Sequence, residues 1–80
     1  MGDLYLFTRD NCHLCEEMLQ ELEPLLIASE CECHLIKVTG DPELEQLYGA
    51  RVPVLVGGGR ELCQFKLDCE AVKNYLDVDN

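Results

Sequence analysis

The stretch LYLFTRDNCHLC, residues 4–15, decides the fold because it joins a strand pattern to a helix start through two cysteines. Its apolar and aromatic side chains predict a strand over residues 3–8. Cys12 and Cys15 then open an amphipathic helical pattern, and the amides and macrodipole of a helix N-terminus favour a thiolate. The stretch therefore predicts dithiol redox chemistry, with Cys12 as nucleophile and Cys15 as resolving thiol. The alternative is two ordinary buried cysteines.

The first helix is predicted over residues 12–29 from apolar side chains that recur at offsets of three and four. This apolar stripe consists of Leu14, Met18, Leu22, Leu25 and Leu26. Pro24 should cost one internal hydrogen bond and bend the helix there, because proline lacks the amide hydrogen that an internal helical position donates. A strand predicted over residues 33–38 follows, so the first two strands form a parallel βαβ unit.

The second half of the chain predicts a short helix, a hairpin and a last helix. Asp41-Pro42-Glu43 is a helix start that Gly49 closes, with Leu44, Leu47 and Tyr48 on its buried side. Strands are predicted over residues 52–56 and 61–65, on either side of a glycine turn. Asp68 can cap the last helix, whose apolar stripe is Val72, Tyr75 and Leu76. The predicted order is β-α-β-α-β-β-α, an α/β fold.

Length and charge limit the classes of function. The 80 residues form one domain, 1–80, and 16 acidic against 6 basic side chains give a formal charge of −10. Such a field repels nucleic acid and anionic lipid, and it disfavours anionic glutathione. No apolar run reaches the ~20 residues that span a bilayer, and no leader pattern is recognised. We therefore expect a cytoplasmic monomer without nucleic-acid or membrane partners.

The dithiol after the first strand, Val52-Pro53 before a later strand, and the hairpin that follows resemble the thioredoxin-like fold. Within that fold the chain resembles the small glutaredoxin-like proteins that carry a Cys-His-Leu-Cys site. The resemblance implies a glutaredoxin-type architecture, a four-stranded mixed sheet with three helices, and thiol–disulfide oxidoreductase activity. It implies no bound cofactor, and glutathione is a candidate co-substrate. The expected partners are a disulfide-bearing protein or small thiol substrate and an external reductant, either glutathione or a reductase.

The resemblance also assigns roles to residues outside the dithiol. Pro53 matches the family's cis-proline beside the sulfurs, where the Val52 backbone would pair with substrate. Arg9 falls where a lysine often meets the glutathione carboxylate. Asp68 lies one place from the aspartates that hold the glutathione amine, and Arg51 replaces a usual threonine.

Charged residues near the dithiol suggest substrate contacts on chemical grounds as well. Arg9 and Arg51 are two of only six basic residues, and both flank the site, which suggests capture of a carboxylate. His13, when protonated, would favour the Cys12 thiolate. The alternatives are solvated side chains without these roles.

Two other classes of function stay open at this point. One is a binding module that keeps the fold without turnover. The other is a metal site, since Cys12-x2-Cys15 and Cys31-x-Cys33-His34 approach zinc-ribbon spacing, while some glutaredoxin relatives share an iron–sulfur cluster between subunits. We predict no metal, with Cys33 and Cys63 as core residues.

Overall fold

The computed structural model describes residues 3–76 and contains four strands and three helices in the predicted order. The elements are β1 (Leu4–Thr8), α1 (His13–Ser29), β2 (Cys33–Lys37), α2 (Pro42–Tyr48), β3 (Val54–Gly57), β4 (Arg60–Gln64) and α3 (Cys69–Leu76). The single-domain prediction over 1–80 extends beyond the described residues at both ends.

The strands form one mixed sheet in the order β2-β1-β3-β4. β1 is parallel to β2 and antiparallel to β3, and β3 is antiparallel to β4. In this register Leu6 lies opposite Leu35 on one side and Leu55 on the other. The α/β fold with a four-stranded mixed sheet and three helices is thus confirmed.

Helix α1 covers one face of the sheet and carries the dithiol at its first turn. Its buried residues are Cys15, Met18 and Leu22, spaced at i, i+3 and i+7 as a helix facing a sheet requires. Leu14, predicted in the same stripe, is 40% exposed, so this prediction is wrong. At 3.6 residues per turn, Leu14 lies about 70° from the centre of the buried stripe. Pro24 lies inside the continuous helix.

The remaining elements differ from prediction mainly at their ends. α2 contains no buried residue and Leu47 is exposed, so the predicted buried side is wrong for Leu47, while Tyr48 stacks on Phe7 at 4.1 Å between ring centroids. Pairing in β3 begins at Val54 because Pro53, which has no amide hydrogen, precedes the ladder.

The core is a single cluster between the sheet and two of the helices. Its buried members are Leu4, Leu6, Met18, Leu22, Leu55 and Val72. Tyr75 and Leu76 of α3 pack against the cluster, as predicted. Across residues 3–76, none of the helices has the length and apolar character needed to cross a lipid bilayer.

Candidate functional site: a dithiol at the N-terminus of the first helix

Cys12 and Cys15 form a disulfide at the junction between β1 and α1. Cys12 is the N-cap residue, with extended backbone dihedrals, and Cys15 lies in the first turn. This geometry brings their Cα atoms to 5.2 Å. Cys15 is only 5% exposed, whereas Cys12 is partly exposed. The pair therefore has one accessible sulfur and one covered sulfur.

The first turn of α1 also provides the electrostatics of the site. The backbone amide of Cys15 donates a hydrogen bond to Sγ of Cys12 at 3.2 Å. An N-cap side chain that accepts such a bond sits at the positive end of the helix macrodipole. After reduction, the same amide and dipole would favour a thiolate at Cys12 over one at the covered sulfur.

His13 lies outside this hydrogen-bonding arrangement. Its side chain is exposed, and Nε2 lies 2.8 Å from a carboxylate oxygen of Glu17, one turn along α1. The Glu17 carboxylate would offset, at Cys12, the field of a positively charged imidazole. A role for His13 in favouring the thiolate stays a prediction.

Arg9 shares a cavity of about 230 Å³ with Cys12 and Cys15. Its guanidinium donates two hydrogen bonds to the Glu45 carboxylate, at 2.7 and 3.1 Å, and a third to the Gly49 carbonyl at 2.8 Å. The hydrogen bond to Arg9 lowers the pKa of Glu45, and the same bond raises the pKa of Arg9. Arg9, which lines the predicted site, is therefore already hydrogen-bonded to α2 and to the residue that ends it.

Gly49 explains why the arginine can lie so close to α2. The residue closes the helix as predicted, but in a right-handed conformation with φ −53°. A Cβ at this position would lie 2.9 Å from Nη2 of Arg9 and would also collide with Glu45. The glycine is required here by close approach and not by a left-handed cap.

Arg51 is held by a separate set of acceptors. It donates to both carboxylate oxygens of Glu61, at 2.6 and 2.9 Å, and to the Leu47 carbonyl at 2.7 Å. Gln64 accepts a further bond at 2.9 Å, and the guanidinium lies 5.7 Å from the ring centroid of Tyr48. Arg51 thus links α2 to β4 and lowers the pKa of Glu61 by hydrogen bonding.

The Val52–Pro53 peptide bond is cis, and Pro53 is buried. The pairing of Phe7 with Val54 places Pro53 at the end of the sheet where β1 leads into α1. Its carbonyl accepts a hydrogen bond from the Phe65 amide at 2.9 Å.

Asp68 caps α3, since its carboxylate accepts a hydrogen bond from the Ala71 amide at 3.1 Å.

The other cysteines are set apart from the dithiol. Cys33 and Cys63 are partly buried and pack against the core, as predicted. Burial raises the pKa of both thiols, that of Cys33 to about 11. Cys69 is exposed at the start of α3. Burial also raises the pKa of Cys31.

The spacing that suggested zinc does not produce a cysteine cluster in the described part of the chain. Between residues 3 and 76, the side chains close enough to share a metal ion are Asp3, Glu32 and His34, all exposed. His34 is held at 3.1 Å by Asp3 and stacks on Tyr5. No cysteine belongs to this group.

The sequence pattern reveals the dithiol, but it does not reveal the hydrogen-bond acceptors of the two arginines. Glu45 and Glu61 lie 36 and 10 residues from their partners, and no local pattern signals such pairs. Phe65 was predicted as the end of a strand, yet it has φ +69° and follows β4. Its left-handed backbone ends the ladder one residue early.

A βαβ unit followed by a hairpin and a helix, with a CxxC disulfide at the start of α1, defines a thioredoxin-like domain with a dithiol site. The sequence model of the Glutaredoxin-like domain (DUF836) matches residues 3–77. The chain therefore belongs to this glutaredoxin-like family.

Solved structures agree with this assignment. Protein Ne2328 from Nitrosomonas europaea is 38% identical, with a TM-score of 0.84, covering 92% of this chain and 89% of that one. The X-ray structure of XcR50 from X. campestris is 33% identical, with a TM-score of 0.75 and coverage of 96% and 99%.

A more distant neighbour supports the fold alone. Thioredoxin 1 from Thermosipho africanus is 18% identical, with a TM-score of 0.62 and 94% coverage of both chains. No protein with a curated description matches the sequence significantly.

Proposed function

We propose that this protein is a thiol–disulfide oxidoreductase that works through Cys12 and Cys15. One observation carries the proposal: a helix N-cap cysteine is disulfide-bonded to a covered cysteine one turn later, and its sulfur accepts the Cys15 amide. A disulfide with a purely structural role would not need its more exposed sulfur at the helix N-terminus, which is the end that favours a thiolate.

The reduced protein would transfer two electrons to a substrate disulfide in two exchange steps. The Cys12 thiolate attacks one substrate sulfur, which forms a mixed disulfide and releases the other substrate sulfur as a thiolate. Cys15 loses its proton and attacks Sγ of Cys12. This attack closes the protein disulfide, and the second substrate thiolate leaves and takes up a proton. An external thiol reductant then restores the dithiol by the same exchanges in reverse order.

The substrate chain would approach the sulfurs from the end of the sheet where Pro53 lies. Pairing in β3 starts at Val54, and we keep the Val52 backbone as the candidate partner of a bound peptide. Arg9 and Cys12 line the same cavity, so Arg9 is the better placed of the two arginines for contact near the sulfurs.

Glutathione is the less favoured of the two candidate reductants. The arginines expected to bind its carboxylates already donate to Glu45 and Glu61, and the chain carries a net charge of −10. A glutathione carboxylate would have to displace an internal carboxylate from either guanidinium. We propose a disulfide-bearing protein as substrate and a protein reductase as reductant, with the protein acting as a cytoplasmic monomer.

Serine substitutions test the assignment of the two cysteines. Cys12→Ser should abolish reduction of a disulfide substrate, because the dithiol site loses its accessible nucleophile. Cys15→Ser should accumulate the mixed disulfide, detected by mass spectrometry, because the resolving thiol is lost. Cys69→Ser is the matched control, since it removes an exposed thiol and should leave the rate unchanged. Equal residual activity in the Cys12 and Cys15 variants would reject the assignment.

Coupled assays test the reductant. Turnover is followed with glutathione and glutathione reductase in one arm and with thioredoxin and thioredoxin reductase in the other. We expect turnover in the second arm and little in the first. Turnover in the glutathione arm alone would contradict the preferred reductant. Turnover in neither arm, with intact cysteines, would favour the alternative of a binding module.

A further inference from the structure

Two cysteines outside the dithiol meet where β4 leads into α3. Cys63 lies opposite Leu55 in the sheet, and the side chains of directly opposed residues share one face. Leu55 is 0% exposed in the core, so Cys63 points to the face on which Val72 of α3 packs. Cys69 is the first residue of α3 and is exposed. One thiol is therefore half-buried beside the start of the helix, and the other lies in solvent.

A tight turn returns the chain from β4 to the start of α3. Phe65 has φ +69°, and the Lys66 amide donates a hydrogen bond to the Gln64 carbonyl at 2.7 Å. These are features of the rare γ-turn with a positive φ, which is strained. The turn is held from the sheet, because the Phe65 amide donates to the Pro53 carbonyl at 2.9 Å. The chain thus reverses directly after β4 and begins α3 beside Cys63.

The Cys63 sulfur lies next to the residue that precedes Cys69. Burial raises the pKa of the Cys63 thiol, whereas a hydrogen bond from the Asp68 backbone lowers it. The negative charges of Asp68 and of a Cys69 thiolate raise it as well, so each sulfur lies in the field of the other. The Cα atoms of Asp68 and Cys69 are ~3.8 Å apart across their peptide bond. Because an exposed side chain changes rotamer within nanoseconds, Cys69 can turn its sulfur toward that of Cys63.

We propose that Cys63 and Cys69 form a second redox site, which hydrogen peroxide oxidises to a disulfide between β4 and α3. Thiols that sense peroxide are accessible to solvent and lie next to a resolving cysteine, as Cys69 lies next to Cys63. Within residues 3–76, the cavity that holds Cys12 and Cys15 is lined by neither of these two cysteines. The second site therefore requires no contribution from the dithiol.

The oxidation takes two steps and transfers two electrons to the peroxide. The Cys69 thiolate attacks one peroxide oxygen, which breaks the O–O bond, forms a sulfenic acid and releases hydroxide. Cys63 then loses its proton and attacks Sγ of Cys69. The S–S bond forms, the S–O bond breaks, and a second hydroxide leaves. Both hydroxides take up a proton and become water. An external thiol reductant restores the two thiols by disulfide exchange.

Peptide mapping of a Cys12→Ser, Cys15→Ser double variant tests the site without the dithiol. The reduced, desalted protein is treated with an equimolar amount of hydrogen peroxide, alkylated with iodoacetamide and digested with trypsin without reductant. Cleavage after arginine and lysine separates fragments 61–66 and 67–73, each with one cysteine. We expect about tenfold more of these two fragments joined by a disulfide than of any other disulfide product, because the native turn holds their sulfurs together.

Single substitutions in the double variant assign the roles of the two thiols. Cys63→Ser should leave Cys69 as a sulfenic acid, which dimedone traps on fragment 67–73. Cys69→Ser removes the exposed target, so dimedone labelling of Cys63 should be about tenfold weaker than the labelling of Cys69. Cys31→Ser is the matched control, since it removes a thiol on another connection and should leave the yield of linked fragments unchanged.

The outcomes decide the inference independently of the proposed function. Linked fragments absent from the digest, a disulfide between Cys31 and Cys33 as the main product, or equal dimedone labelling of Cys63 and Cys69 would each overturn the second site. The reduced wild-type protein, treated in the same way, should also yield the linked fragments, which checks that the serine substitutions have not altered the fold. Reduction of disulfide substrates is measured separately, so a failure of either proposal leaves the other in place.

Discussion

Two leucines on the same helix should respond very differently to the same truncation. The sequence places Leu14 and Leu22 in one apolar stripe, but Leu22 is 0% exposed in the core and Leu14 is 40% exposed. Leu22→Ala deletes buried carbons and leaves a cavity between α1 and the sheet, which costs about 2–5 kcal/mol. Leu14→Ala opens no enclosed cavity and loses only part of a side-chain burial worth about 1.5–3 kcal/mol, so about 1 kcal/mol is expected.

The comparison is well controlled because both variants replace a leucine of α1 by alanine and delete the same number of atoms. Urea unfolding of the disulfide-bonded proteins, followed by far-UV circular dichroism, measures both free energies of unfolding. With a slope of about 1 kcal/mol per molar urea, Leu22→Ala should lower the midpoint by about 2–5 M and Leu14→Ala by about 1 M. A domain of 80 residues has about 4–12 kcal/mol of stability to lose. Equal losses within about 0.5 kcal/mol would refute the burial difference.

Three further predictions concern a partly buried thiol, the Arg9–Glu45 ion pair and a helix cap. Burial raises the pKa of Cys33 from 9.0 to about 11. Its alkylation by iodoacetamide at pH 8 should therefore be about 100-fold slower than that of an unfolded peptide thiol. Mass spectrometry measures both rates, and equal rates would contradict the shift. Because the Arg9 hydrogen bond lowers the pKa of Glu45 from 4.5, this carboxylate stabilises the fold above about pH 4.5 and loses that contribution as the pH falls through its folded pKa. The urea midpoint should therefore fall more between pH 6 and pH 3 in the wild type than in Glu45→Gln, and identical pH profiles would exclude the effect. Asp41 accepts two amide hydrogens at the start of α2, so Asp41→Ala should cost about 1 kcal/mol and Asp41→Asn much less. The alanine change should appear as a fall of about 4–8 °C in Tm, and no difference between the two variants would argue against the cap.

Local patterns were sufficient for the order of elements and for the dithiol. The apolar and aromatic run at residues 4–8 and the helical spacing after Cys12 are properties of consecutive residues. The N-cap position of Cys12 and the cap at Asp68 likewise depend on residues within one turn. Such features can be predicted because the atoms that decide them are close in sequence.

Contacts between distant segments set the limits of prediction. The sequence predicted that Arg9 and Arg51 bind a substrate carboxylate, yet each already donates to a carboxylate on another element. These carboxylates are Glu45 for Arg9 and Glu61 for Arg51. Leu47 has a helical spacing that suits a buried face, but it is exposed. Which side of α2 meets the sheet depends on the packing of whole elements.

The sequence by itself determined the succession of strands and helices and the presence of two cysteines at a helix start, because hydrogen bonds and side-chain periods within each segment decide them. Only the tertiary structure decided which sulfur is covered, which carboxylates accept hydrogen bonds from the arginines, and that Leu14 and Leu47 are exposed. Those outcomes follow from the packing of α1, α2 and the hairpin within one domain, where burial and pairing join residues far apart in the chain.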